Sequence, residues 1–126
     1  MQNIYLDQER LNNARETIKN LGQSITIEEK RKEALDLEKK TLEPGFWDDT
    51  EKAQKLIGQI NGLKSYVEAY DDLSDQAEEI EILIELLREE DDEESYKDLE
   101  KALEKLEKKV KAFEIKTLLT GEYDKE

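Results

Sequence analysis

The chain is 126 residues long, one domain's worth, with 34 acidic and 20 basic side chains, a net charge of −14, and neither cysteine nor histidine. The missing residue types exclude disulfides, thiol nucleophiles, imidazole acid–base chemistry and zinc sites of the usual kind. The charge argues against a general nucleic-acid binder, DNA included, because attachment to phosphates depends on Lys and Arg displacing counterions.

Leu, Ile, Val and Phe supply about a quarter of the residues, and Ala, Glu, Lys, Leu and Arg about half, a composition typical of long packed helices. No apolar run approaches the roughly 18 residues a membrane span needs, and MQNIYLDQER lacks a signal-peptide core. The expectation is a soluble, cytoplasmic chain with no membrane partner.

In chain order, Ile4, Leu11, Ile18 and Ile25 fall seven apart with Ala14 and Leu21 between them, one apolar seam on a helix over about 3–21, with Ile25 expected beyond its end. Gly22 is expected to end it. Thr26-Ile27-Glu28-Glu29 resembles a capping box opening a second helix over about 27–42, which must end before Pro44 because the residue preceding proline is pushed out of the α region.

Pro44-Gly45 signals a turn, and Asp48 with Glu51 suggests another cap. From there the seam Ala53, Leu56, Ile57, Ile60, Leu63, Val67, Tyr70, then Ala77, Ile80, Leu83, Ile84 and Leu87, predicts a long helix over about 50–89. Gly58 and Gly62 fall inside it, either admitting a neighbouring helix or marking a weak point. The acidic cluster Glu89–Glu94 reads as a hairpin turn, with Asp91 and Asp92 suited to a helix N-terminus. The last helix, about 92–119, carries Tyr96, Leu99, Leu103, Leu106, Val110 and Phe113 on one side and Glu93–Lys97, Glu104–Lys108 and Glu107–Lys111 pairs on its wet face. It should stop before Gly121.

The fold class that results is all-α: an elongated antiparallel bundle of about four helices in a single domain, 1–126, built on a long two-helix hairpin. Pro44, Phe46 and Trp47 form its structural corner. There the two aromatics are expected to staple helix ends together, so that Trp47→Ala costs about 3–5 kcal/mol; the alternative is an exposed binding anchor.

No P-loop or G-x-G-x-x-G occurs, and the acidic stretch Glu68–Glu94 lacks the spacing of a calcium loop. Catalytic, cofactor-binding and metal-ligating residues are therefore all expected to be absent, and no cofactor is called for. The acidic stretch reads as solvated helix face or as a surface for a basic partner. The lysines of the last helix read as paired within the helix or as a local RNA or protein contact.

Three stretches carry a resemblance over essentially the whole chain. LEPGFWDDTEKAQ, residues 42–54, is similar to the Leu-Glu, Pro, Phe-or-Val-Trp, then Ala-Gln signature near the start of bacterial peptide chain release factors of type 2. REEDDEE resembles that family's acidic turn, and FEIKTLLTGEYDKE the end of its first domain.

The resemblance implies a translation termination factor that reads UAA and UGA. Its partners would be the ribosome, at the large-subunit stalk base around ribosomal protein L11 and its rRNA, and the release-factor GTPase. In that family a Ser-Pro-Phe tripeptide reads the codon and a Gly-Gly-Gln tripeptide promotes ester hydrolysis; neither occurs here, which implies an isolated N-terminal helical domain and no enzyme in itself. Lys101, Lys105, Lys108 and Lys109 are the expected ribosome contact. Many members have Leu-Asp where this chain has Ile25-Thr26, at the site of a programmed frameshift, which implies that this control is absent or lies elsewhere. A free-standing acidic helical adaptor is the rival expectation.

Overall fold

A computed structural model describes residues 3–123, with side chains from 3 to 119. Four helices follow in order: α1 (Ile4–Ser24), α2 (Ile27–Lys40), α3 (Thr50–Glu89) and α4 (Glu93–Tyr123), with one 3-10 turn at Phe46–Asp48. The all-α bundle predicted by periodicity is the observed fold, and no strand occurs among the described residues.

α3 runs 40 residues without interruption, about 60 Å at 1.5 Å per residue, and the other helices are registered along it. Polar contacts fix the directions. α1 runs antiparallel to α3: Arg88 donates to Gln8 at 3.2 Å, Arg15 to Glu81 at 3.2 Å, and Gly22 lies under the Tyr70 ring. α2 continues along the N-terminal half of α3, also antiparallel, with Arg31 forked onto both oxygens of Asp71 at 2.9 Å and Lys64 donating to Glu38 at 3.1 Å. α4 returns alongside, with Lys109 on Asp72 at 3.0 Å and Lys116 on Ser65 at 2.8 Å. α1 and α2 therefore lie in series beside one spine.

The core sits where α1, α3 and α4 meet. Leu11, Ile84, Leu99, Leu103 and Leu106 are fully buried there, in one cluster with Ile18, Leu73, Ile80, Leu87, Val110 and Phe113. Each buried side chain of this size contributes about 1.5–3 kcal/mol. Ile27, Ala34, Ala53 and Ile60 are buried too, but outside that cluster. Towards the corner between α2 and α3, past the end of that cluster, the packing is thinner, consistent with the exposure of Leu35 and Leu42.

Several local expectations need correction. Gly22 does not end α1, which runs on to Ser24; it is buried, and a Cβ there would lie 2.6 Å from Tyr70 Cε1, so its lack of a side chain admits the ring. Gly58 and Gly62 would meet nothing within 4 Å, and α3 passes through both, so neither of the expected roles applies within the chain. Thr26 is the α2 N-cap but makes no side-chain cap bond, because its backbone is left-handed at φ 50°, ψ 57° and its hydroxyl donates to the Ile25 carbonyl. Asp49 rather than Asp48 caps α3, accepting from the Lys52 N–H at 3.2 Å. Asp92 caps α4, accepting from the Glu94 N–H and the Ser95 hydroxyl. α4 does not stop before Gly121 but extends to Tyr123, while Asp124 and the rest of the expected domain end lie outside the described residues.

The corner between α2 and α3 is a tight turn in which the Phe46 N–H donates to the Glu43 carbonyl at 3.2 Å. Pro44 sets the first central position, and Gly45 supplies the second at φ 79°, which a side chain disfavours. The expectation of a buried tryptophan fails here. Trp47 is 60% exposed, touching Phe46 edge-on with ring centroids 5.0 Å apart. Only Phe46 is half-buried. The turn packs chiefly against α3, which is too little to enclose an indole.

α1 is anchored to α4 by Arg10, which reaches Glu100 at 2.6 Å and Glu107 at 2.7 Å. Below it Asp7 is buried, with Oδ2 lacking any hydrogen-bond partner and Arg10 3.9 Å away. Burial pushes the Asp7 carboxyl above its ordinary value, the Glu100 charge adds to this, and Arg10 opposes both.

Three outcomes are expected. Thr26→Asn, which tolerates the left-handed backbone, should raise stability by about 1 kcal/mol in urea melts. Because the Asp7 carboxyl titrates higher in the folded chain than unfolded, its contribution is most favourable below the unfolded value near 3.8 and is lost as pH rises through the folded value. Asp7→Asn should therefore be more stable than the parent at pH 7, with the margin shrinking towards pH 4. Trp47→Ala should cost no more than about 1 kcal/mol, the scale of an exposed aromatic pair, read as thermal melts that nearly overlay the parent.

Candidate functional site

The basic strip of α4 owes its character to helical spacing. Lys97, Lys101, Lys105 and Lys108 recur at intervals of three and four, so they share the side of α4 turned away from buried Leu99, Leu103, Leu106 and Val110. All four are exposed, and Lys97, Lys101 and Lys108 make no ion pair among the described residues. The expected pairs within the helix do not form. Glu107 is taken by Arg10 from α1, and Lys111 instead meets Glu114 at 3.7 Å.

Arg10 thereby does more than anchor. It neutralises Glu100 and Glu107, two of the four acids interspersed with these lysines, and leaves the outer strip more positive than its composition suggests. A bridging arginine from another helix cannot be seen in the spacing of α4 alone, which is why sequence reasoning missed it.

Of the four lysines expected to act together, Lys109 stands apart. It is half-buried and holds Asp72 across the hairpin. A hydrogen bond from Gln76, followed by that from Lys109, keeps the Asp72 carboxyl below the ordinary range. Lys105 and Lys109 also edge a shallow groove between α3 and α4, floored by Ile80, Leu83 and Ala102. Lys101, Lys105 and Lys108 remain available to a ligand; Lys109 is engaged in the fold.

The corner residues Pro44, Phe46 and Trp47 lie well away, before the N-terminus of α3, where Trp47 and Leu42 are exposed. Among the described residues no cluster of three or more carboxylates is placed to hold a metal ion, and no helix is long and apolar enough to cross a membrane. The surface offers charge and apolar contact for binding.

Comparison with known proteins follows the same stretches. Residues 30–126 match the PCRF domain. The chain is 40% identical over 107 residues to peptide chain release factor 2 of Exiguobacterium sp., an overlap of 85% of this chain and 29% of that protein. It is 33% identical over 116 residues to the factor of the same name from Clostridium perfringens, covering 92% and 32% respectively. Against that of Staphylococcus saprophyticus it is 37% identical over 109 residues, 86% and 29%. The chain thus spans only about 30% of the length of the curated relatives it matches. With the match covering α3, α4 and nearly all of α2, the chain belongs to the PCRF domain family.

Proposed function

We propose that this chain acts in translation termination as the N-terminal helical domain of a peptide chain release factor that recognises UAA and UGA, and that it works in the cytoplasm. The observation that carries this reading is the overlap itself: similarity to several proteins named peptide chain release factor 2 runs through most of this chain but through under a third of theirs. Stop-codon reading and promotion of peptidyl-tRNA hydrolysis would belong to the remaining two-thirds of such a protein, since neither Ser-Pro-Phe nor Gly-Gly-Gln occurs here.

The role left to this domain is docking. At a net charge of −14 most of its surface is repelled by rRNA, so contact with the large-subunit stalk base, ribosomal protein L11 and the adjoining rRNA must use a local basic strip. The strip is Lys101, Lys105 and Lys108, with Arg10 masking two of the neighbouring acids, Glu100 and Glu107. A rod with one spine suits such a role, because a contact on α4 is transmitted rigidly to whatever follows it. A link to the release-factor GTPase belongs to the same reading.

The test is titration of the fluorescently labelled chain with isolated large ribosomal subunits at low salt. Saturable binding is expected, and reversing Lys101, Lys105 and Lys108 to Glu should weaken it on the order of tenfold, while reversal of Lys39, exposed on α2, should change it little. Equal affinity for parent and triple variant would remove the strip from the interface. No saturable binding at all would return the chain to the adaptor reading.

A further inference from the structure

The outer face of α3 near the hairpin turn has a chemistry that translation of the codon signal does not use. Ile82 and Leu86, one helical turn apart, are 51% and 58% exposed. They lie opposite the buried stripe of Ile80, Ile84 and Leu87 and so point away from the core. Around them on the same face stand Asp75, Glu78, Glu79, Glu85 and Glu89.

The carboxylates of α3 divide by direction. Those facing other helices are engaged: Asp71 by Arg31, Asp72 by Lys109 and Glu81 by Arg15. Those flanking Ile82 and Leu86 have no ion pair among the described residues. Arg88, the only base in this part of the helix, is turned towards α1, donating to Gln8 at 3.2 Å and lying 6.0 Å from the Tyr5 ring centroid. Among the described residues no ion pair neutralises this face, and its two apolar side chains are exposed.

We propose that this face docks a basic amphipathic helix of a protein partner, whose apolar side meets Ile82 and Leu86 while its Lys and Arg side chains reach the flanking carboxylates. The charge selects the occupant. The same face of a second copy, equally acidic, and any nucleic acid would both be repelled, whereas a cationic helix is attracted before contact. Length fits as well: Asp75 to Glu89 spans about 21 Å of helix axis at 1.5 Å per residue, four turns, the reach of a helical recognition segment anchored at i and i+4. The face lies on a different helix from the lysine strip, so the domain presents a cationic side and an anionic, apolar-centred side to two different partners.

The probe is a fluorescein-labelled, 18-residue designed helix with leucines on one side and lysines and arginines along both margins, followed by anisotropy at low salt. Saturable binding to the chain is expected. Ile82→Ser with Leu86→Ser should weaken it at least tenfold without shifting the thermal melt, since both side chains are exposed, and Glu78→Gln with Glu85→Gln should weaken it several-fold. Leu35→Ser, on α2, should leave it unchanged. The proposal is overturned if the peptide does not bind, if the Ile82/Leu86 variant binds as the parent does, or if a peptide with its basic residues changed to Glu binds equally. Loss of a concentration-dependent dimer in the same double variant would assign the face to self-association and overturn it too. No ribosome is present in this assay, so its outcome stands apart from that of the docking test.

Discussion

The continuity of α3 is the constraint from which the rest of the architecture follows. Forty residues of helix carry Gly58 and Gly62 without a break, although each costs about 1 kcal/mol relative to alanine. The cost is offset because three helices pack along the spine and supply burial over its length. α1 and α2 divide that length between them, and α4 runs back along it. A break near Tyr70 would uncouple α1 from α2, since Tyr70 closes over Gly22 at the join. The strained Thr26 backbone lies at the same level, where the chain turns sharply to keep both helices against one partner.

Charge is arranged by the same geometry. Between helices, acids are met by bases that cross over: Arg10, Arg15, Arg31 and Lys109 reach acids of α3 or α4, and Lys64 of α3 reaches Glu38 of α2. Partly exposed pairs of this kind add little stability individually, but they fix register, and they determine which charges remain for other molecules. The result is a cationic outer side on α4 and an anionic outer side on α3. Neither is apparent from the net charge.

Much of the fold was legible because helical periodicity survives in a single sequence. The seams through Leu11 and Ile18, through Ile80, Ile84 and Leu87, and through Leu99, Leu103 and Leu106 are the observed core. Helix ends were less legible, since they depend on backbone angles: Thr26 looks like a capping residue and is instead held left-handed. Trp47 was misjudged because its burial depends on the thickness of the layer beneath, which no local pattern encodes. Ile82 and Leu86 went unremarked for the opposite reason. They lie off the seam, and apolar residues that violate a periodicity are the signal that would have found them. The lysines were visible, but the Arg10 bridge that alters their balance joins residues 90 and 97 positions apart.

The exposed corner has a spectroscopic consequence. The chain's single tryptophan already stands largely in water in the folded state, so its emission is a poor gauge of unfolding and hardly changes when the distant core melts. The same placement makes it a sensor of occupancy at that end of the rod. A blue shift on adding another molecule would report the indole being covered, in an otherwise tryptophan-free background and with no label attached.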